Sequence, residues 1–399
     1  MRLIHTADWH LGQTFYEFDR SAEHRLFIDW LLQQLSVCKP DALLIAGDVF
    51  DSPNPSAEAQ RLFFSFIERA HTGNPQLQIV ITAGNHDSAA RLEAPQPLLE
   101  QLNVEVRGIV PHLDNGDIDV HKLIIQLKAG GYCLAVPYLR QGDYPKAASY
   151  AEGVSKLYCS LLDAVPDDGK PIVAMGHMCV IGSQINEGDR WEHVSLVGGV
   201  ENVPAEVFDR RISYTALGHL HRYQTVGGRF NVCYSGTPLA MSFAEQSNRQ
   251  GIVMVDIDDA GNVSTQHIIN DGAVRLLSVP KHPAPIDEVL QAIAQLPDGE
   301  PDSTSPYIMV QVAVTQPEPS LRSQIEEAVR GKAVRLTRMT ATTVQSNVDK
   351  ATGIKPCTNL SDIDMLGLLQ DIWRKNNGGN DMSVELEQLL NQSINTINL

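Results

Sequence analysis

The chain holds no apolar run near the roughly 18 residues that a membrane-spanning helix needs. Its opening, Met1-Arg2-Leu3-Ile4-His5-Thr6-Ala7-Asp8, has no apolar leader because a strand pattern starts at once. A cytoplasmic protein, with no membrane partner, is the expectation. Cysteine is sparse: Cys38, Cys133, Cys159, Cys179, Cys233 and Cys357, with no pair at C-x-x-C spacing. Most sit in apolar stretches, the pattern of reduced, buried thiols instead of a disulfide framework or thiolate zinc site. A phosphate-binding G-x-x-x-x-G-K-[ST] loop is missing, since Gly169-Lys170 and Gly331-Lys332 lack the rest of the pattern. No internal repeat or low-complexity tract occurs. Positive charge is scarce as well: 31 Lys and Arg stand against 48 Asp and Glu, a net charge of −17. That argues against a stand-alone nucleic-acid binder, which shows a basic footprint. A carboxylate-lined metal site adds negative charge that bound cations offset, and a basic partner subunit could supply contacts to phosphate.

What is present is ordinary globular material. The 399 residues are 43% hydrophobic and 20% charged, long enough for a large core and an appendage. Short β-rich apolar runs recur at Arg2–Thr6, Ala42–Ala46, Gln78–Thr82, Tyr132–Val136, Pro171–Met175, Tyr214–Leu217, Asn231–Tyr234 and Gly251–Ile257. Helical patterns separate several of them, as in Ala22–Leu35, where Leu26, Phe27, Trp30, Leu31 and Leu35 share one face. Alternating helices and doubly buried strands indicate a layered α/β sandwich over residues 1–272. Residues 273–345 read as a small α+β capping domain: strands Arg275–Val279, Tyr307–Val314 and Ala333–Arg338 around helices Ile286–Gln295 and Leu321–Val329. Residues 346–399 carry two helix candidates, Asp362–Lys375 and Val384–Asn395.

Five motifs each sit where an apolar strand ends: Asp8-Trp9-His10, Gly47-Asp48-Val49-Phe50-Asp51, Gly84-Asn85-His86-Asp87, Gly176-His177 and Gly218-His219-Leu220-His221. The crevice beyond the carboxyl ends of strands is where α/β sheets bind ligands, so a shared placement is what a single site requires. Any one motif has a bland reading: a strand-end histidine is more often structural, and a polar turn needs no ligand. Five in this order make a site. The types Asp8, His10, Asp48, Asn85, His177, His219 and His221 suit hard-to-borderline divalent cations, with no thiolate among them. A carboxylate such as Asp48 can bridge a cation pair, and such a pair binds a phosphodiester and activates water near neutral pH. Glycines before the ligands let the backbone turn sharply. His24, His71, His112, His121, His193, His267 and His282 are assigned to surface or packing, and so is His5.

The pattern D-x-H, G-D-x-x-D, G-N-H-D, G-H, G-H-x-H resembles the calcineurin-like metallophosphoesterase superfamily. Carried over, the resemblance implies one metal on Asp8, His10, Asp48 and His221, and a second on Asp48, Asn85, His177 and His219. It implies that His86 protonates or stabilises the leaving oxygen and that the Asp51 carboxylate orients His86, while Asp87 stabilises the turn. The stretches Leu3–Gln13, Ala46–Asp51, Ala83–Ser88, Ala216–Arg222 and Tyr234–Leu239 are similar to a narrower group, the nuclease-subunit family of bacterial SbcCD complexes. That similarity implies a DNA nuclease of double-strand-break repair: 3′–5′ on double-strand ends, endonucleolytic on single strands and hairpins. It further implies manganese as the usual ion (with magnesium, iron or zinc as alternatives), an SbcC-type coiled-coil ATPase that handles ATP, and a homodimer within a heterotetramer. The Arg61–Ile67 stretch is a candidate for the dimer interface or for core alone, Arg330, Lys332, Arg335 and Arg338 for a solvated strand face or for DNA phosphates, and the two C-terminal helices for docking the partner. Two other readings stay open: a small-molecule phosphodiesterase or phosphomonoesterase of the same superfamily, and a metal-binding scaffold without turnover.

Overall fold

The computed structural model describes residues 1–184, 202–316 and 318–343, with isolated positions beyond them. Met1–Thr343 forms one compact unit and Val344–Leu399 a second. His193, Cys357 and most of the expected helices Asp362–Lys375 and Val384–Asn395 lie outside the described residues; Gln370, Trp373, Arg374, Leu386 and Glu387, the described positions within those helices, are helical.

The first half of the core runs β1 (Arg2–Thr6), a hairpin of β2 (Thr14–Phe15) and β3 (Phe18–Asp19), α1 (Ser21–Cys38), β4 (Ala42–Ala46), α2 (Ala57–Gly73) and β5 (Gln78–Thr82). Two short helices, α3 (Ala89–Glu93) and α4 (Gln96–Leu99), lead to β6 (Val104–Arg107). The second half runs β7 (Ile124–Gln126), β8 (Tyr132–Ala135), α5 (Tyr150–Ala164), β9 (Ile172–His177) and β10 (Ile212–Gly218). It closes with β11 (Gln224–Val226), β12 (Arg229–Tyr234), β13 (Gly251–Ile257) and β14 (Val263–Ile269).

Apart from the β2–β3 hairpin, these strands form two six-stranded sheets, ordered β14-β13-β1-β4-β5-β6 and β11-β12-β10-β9-β8-β7. In the first, β1, β4, β5 and β6 are parallel and β13 runs against β1. In the second, β12, β10, β9 and β8 are parallel, with β11 and β7 antiparallel at the edges. The sheets meet face to face: Leu3, Leu44, Val80 and Val253 of one pack with Cys133, Val173, Met175 and Tyr214 of the other. The opposite face of the first sheet carries α1 and α2, through Phe27, Leu31, Phe63 and Phe66. The opposite face of the second carries α5, through Val154, Leu157, Tyr158 and Leu161. The result is a four-layer α/β sandwich whose inner strands are buried on both sides, which is why they read as unbroken apolar runs.

The helices refine the expected faces. On α1 the buried side runs through His24, Phe27, Ile28, Leu31 and Leu35, while Leu26 is 45% exposed. On α2, begun by the Ser56 hydroxyl accepting from the Ala59 N–H at 3.1 Å, Phe63, Phe66 and Ile67 are core. Only Phe64 of the aromatic cluster reaches the surface. Within the candidate interface stretch Arg61–Ile67, Phe63, Phe66 and Ile67 are core, while Arg61, Phe64 and Ser65 are exposed.

The cap alternates as β15 (Leu276–Ala284), α6 (Ile286–Ala294), β16 (Tyr307–Val314), α7 (Leu321–Val329) and β17 (Arg335–Thr343), with all three strands parallel. Val289, Ile293 and Ile325 of the helices cover Ile308, Val310 and Val312 of β16. An apolar seam of Phe15, Ala240 and Phe243 with Leu276 and Tyr307 joins it to the sandwich. Beside the seam lies a buried ionic knot. Glu23 Oε1 accepts from the Tyr307 hydroxyl at 2.5 Å and from Arg335 Nη2 at 3.2 Å, and Glu23 Oε2 accepts from Arg20 Nη2 at 2.8 Å. This corrects the expectation that Arg335 faces DNA. Arg335 is 7% exposed and occupied by Glu23, Tyr307 and the Ser305 carbonyl. Lys332 donates to the Ala294 and Leu296 carbonyls and to Asp298, and Arg330 pairs with Glu327. Arg335 and Lys332 spend their charges on partners too far away in sequence for the stretch itself to reveal, whereas Arg330 and Glu327 form an exposed pair three residues apart. Arg338 alone of the four lies exposed without such a partner among the described residues.

Candidate metal centre

All five motifs lie at the carboxyl ends of parallel strands: β1, β4 and β5, adjacent in one sheet, and β9 and β10, adjacent in the other. As β1 and β4 end, their loops stay zipped. The Asp8 N–H donates to the Gly47 carbonyl, His10 to Asp48 and Leu11 to Val49, each at 3.0 Å. Asp8, His10, Asp48 and His219 have φ of 55°, 47°, 49° and 98°, a left-handed backbone that non-glycine residues seldom adopt. Such strain persists where surrounding structure imposes it, and it concentrates at functional sites.

The side chains converge. Asp48 Oδ1 accepts from the His86 N–H at 2.8 Å, which leaves Oδ2 standing 3.2 Å from His177 Nε2 and 3.8 Å from His10 Nε2. Asn85 Oδ1 lies 3.0 Å from His177 Nε2 and 3.1 Å from His219 Nδ1. His177 Nδ1 donates to the Ala46 carbonyl at 2.9 Å, so Nε2 is the nitrogen turned inward, toward Asp48 and Asn85. Across the seam between sheets, the His219 N–H donates to Asp8 Oδ1 at 2.9 Å. Asp8, His10 and His221 offer ligand atoms within 4.8 Å of one another, and so do Asp8, Asp48 and His177. All seven ligand-type residues singled out in the sequence thus stand around one pocket.

Several donor atoms here have no conventional partner. Asp8 Oδ2 and His10 Nε2 are buried without a hydrogen bond. Leaving buried polar atoms unsatisfied costs about 1–3 kcal/mol each, a cost that a coordinated cation removes. The oxygen and imidazole donors suit a divalent cation, so the residues fit the group. The electrostatics agree. Burial opposes charge on His177, but Asp48 and Asp8 override it and raise its pKa to about 9. Burial likewise opposes charge on Asp48, yet His177, His10 and His86 hold it well below the usual carboxylate range.

The glycines serve close approach more than turning. Gly47 has φ +87°, but a Cβ on Gly84 would stand 2.1 Å from Asp48 Oδ1, and one on Gly218 1.9 Å from the Ala46 carbonyl. Asp87 does more than stabilise its own turn. It accepts from the Gly84, Val49 and Phe50 N–H groups at 2.9, 3.1 and 2.9 Å, clamping two ligand loops together. Burial and the neighbouring Asp48 raise its pKa to about 6.

The expected role of Asp51 is corrected in detail. Its carboxylate lies 3.2 Å from His10 Nδ1, whereas its backbone carbonyl accepts from His86 Nδ1 at 3.0 Å. The loop places the carbonyl against His86 and turns the carboxylate to His10, so one residue fixes two rings by different atoms. His5 is a packing residue, buried with Nδ1 2.8 Å from the Tyr214 hydroxyl. One residue was not anticipated: Glu245, fully buried, with Oε1 3.0 Å from His221 Nδ1. No motif marks it; its nearest signal is the Tyr234–Leu239 stretch just upstream.

A layered sandwich with such a cage at its strand ends defines a metal-dependent phosphodiester hydrolase. Residues 1–223 match the calcineurin-like phosphoesterase family, and residues 273–377 match a type 5 capsule protein repressor C-terminal domain. The SbcCD nuclease D-subunit of Rhodobacter capsulatus is 38% identical over 361 residues, covering 86% of this chain and 87% of that protein. Its counterpart in Escherichia coli K12 is 30% identical, covering 80% and 79%, and that in Bacillus subtilis 168 is 33% identical, covering 67% and 69%. The chain belongs to the calcineurin-like phosphoesterases, in the family of the SbcCD D-subunit nucleases.

Proposed function

We propose that the chain is a two-metal DNA nuclease, with one cation on Asp8, His10, Asp48 and His221 and the other on Asp48, Asn85, His177 and His219. Manganese is the ion we assign, and DNA ends and hairpins are the substrate, cut 3′ to 5′ on double strands and endonucleolytically on single strands and hairpins. The observation that carries the reading is Asp48 Oδ2, placed between His177 Nε2 and His10 Nε2, where one oxygen serves both halves of the cage. Bound there, two cations would polarise the phosphoryl oxygen and activate the attacking water. The protein's own groups do the rest. Asp48 keeps its negative charge directed at the site, and the strained loops hold the donors in place before substrate arrives. His86, with Nδ1 held by the Asp51 carbonyl at 3.0 Å, would as an imidazolium deliver its Nε2 proton to the leaving oxygen.

Relatives named as SbcCD nucleases support a coiled-coil ATPase of the SbcC type as partner, and the assembly we propose is a homodimer within a heterotetramer in the cytoplasm. The net charge of −17 fits this, because such a chain gains from a partner that supplies cationic contacts to the DNA backbone. No helix among the described residues is long and apolar enough to cross a membrane. The domain limits that follow are 1–272 for the nuclease, 273–345 for the cap and 346–399 for partner docking.

The test is manganese-dependent cleavage of linear and hairpin DNA, with and without the ATPase. His86→Ala is expected to lower kcat by about 10²–10⁴-fold with manganese binding retained. Full activity in that variant overturns the role given to His86. Hydrolysis of small phosphodiesters with no action on DNA would move the chain to the small-molecule branch of its superfamily.

A further inference from the structure

The two halves of the cage are anchored differently. His177 rests its Nδ1 on a neutral backbone carbonyl, that of Ala46. His221 rests its Nδ1 on a buried carboxylate, Glu245, at 3.0 Å, and both groups are nearly or wholly inaccessible. Glu245 ends a short turn, Phe243–Glu245, between β12 and β13. Its second oxygen accepts from the Met241 N–H at 2.9 Å, with the Thr237 hydroxyl at 3.5 Å. The platform beneath it is tied down on both sides. The Thr237 N–H donates to the His221 carbonyl at 3.1 Å, and Arg20, held by Glu23, donates to the Ala240 carbonyl at 2.8 Å.

We propose that Glu245 is a positioning residue that holds His221 with its proton on Nδ1 and its Nε2 lone pair turned to the cation shared with Asp8 and His10. The proposal rests on the two-metal reading above. Glu245 Oε2 already accepts from the Met241 N–H, so Oε1 meets His221 Nδ1 as the acceptor of the same carboxylate, and a proton on Nδ1 puts the ligating lone pair on the opposite nitrogen. A carboxylate behind a ligating histidine also makes it a stronger donor, and losing such a group costs about 10–100-fold in metal affinity. It follows that the two cation positions are unequal, and that only the one containing His221 depends on Glu245.

The experiment is a manganese titration by calorimetry of the full chain and of Glu245→Gln. Glutamine keeps the size and can still accept from Met241, but its amide then presents N–H to His221 and draws the proton to the wrong nitrogen. The parent is expected to show two binding steps, and the variant to weaken one of them by about 10–100-fold with the other unchanged. An isotherm identical to the parent's, or equal weakening of both steps alongside a lower melting temperature, overturns the proposal. If the parent binds no manganese, the two-metal reading itself fails. Nitrogen NMR of His221 in the metal-free parent needs no variant: an Nδ1–H tautomer is expected, and an Nε2–H tautomer refutes it.

Discussion

At the scale of single residues, the centre is assembled from backbone conformations that its sequence would not choose alone. Asp8, His10, Asp48 and His219 all sit at positive φ. What holds them is a mesh of short contacts from chemically modest residues: Asp87 collecting three N–H groups, and glycines that let loops approach within van der Waals limits. Gly84 is the sharpest case. Gly84→Ala would place a methyl against Asp48 Oδ1 in a site with no room to relax. An overpacked core costs about 1–3 kcal/mol, so the chain is expected to remain folded by circular dichroism. Manganese binding, followed by calorimetry, should fall at least tenfold because Asp48 is the proposed ligand of both cations. Unchanged binding would mean that the loops have slack that their contacts do not suggest.

Among elements, the cap is the informative case. It joins the sandwich through an apolar seam and through the Arg20–Glu23–Arg335 knot, in which Arg335 also stacks 3.7 Å above the Tyr307 ring. Burial and Glu23 raise the Tyr307 pKa above its ordinary value, so the hydroxyl stays a donor. Removing one member of a buried ion pair costs on the order of 3–5 kcal/mol, lessened here because Glu23 keeps Arg20. Arg335→Met is therefore expected to loosen the cap first. In hydrogen exchange, amides of β16 and β17 should lose protection before those of β4 and β5. Simultaneous loss of protection in both layers would mean that cap and sandwich unfold as one.

For the whole molecule, acid is the expected weakness. Burial lowers the pKa of His5 to about 3, and burial together with Arg20 and His10 lowers that of His24 to about 3. Both are neutral in the folded chain and titrate near 6.5 when unfolded, so between these values the unfolded state binds more protons. Their contribution is complete above pH 6.5 and is lost as pH falls toward 3, at about 1.4 kcal/mol per unit for each histidine. Denaturant midpoints measured from pH 7 to pH 4 should fall less steeply for His24→Asn than for the parent. Parallel slopes would show that His24 takes up its proton without unfolding.

The chemistry was legible in the sequence because metal ligands must be particular residue types placed at strand ends, and local pattern reveals both. Strands Ala42–Ala46, Gln78–Thr82, Gly251–Ile257 and Tyr307–Val314 stand where their apolar runs predict. Doubly buried runs cannot say whether a helix or another sheet covers them, so the face-to-face pairing of two sheets had to come from tertiary structure. The same is true of interactions between residues distant in the chain. Arg335 looked like a cation for DNA because its partner Glu23 lies 312 positions away, and Glu245 had no motif to announce it. Local sequence determined which atoms can bind metal and the strand ends that carry them. Folding decided how those ends meet, which charges are spent inside the protein, and which carboxylate stands behind His221, because each depends on neighbours that only a closed chain brings together.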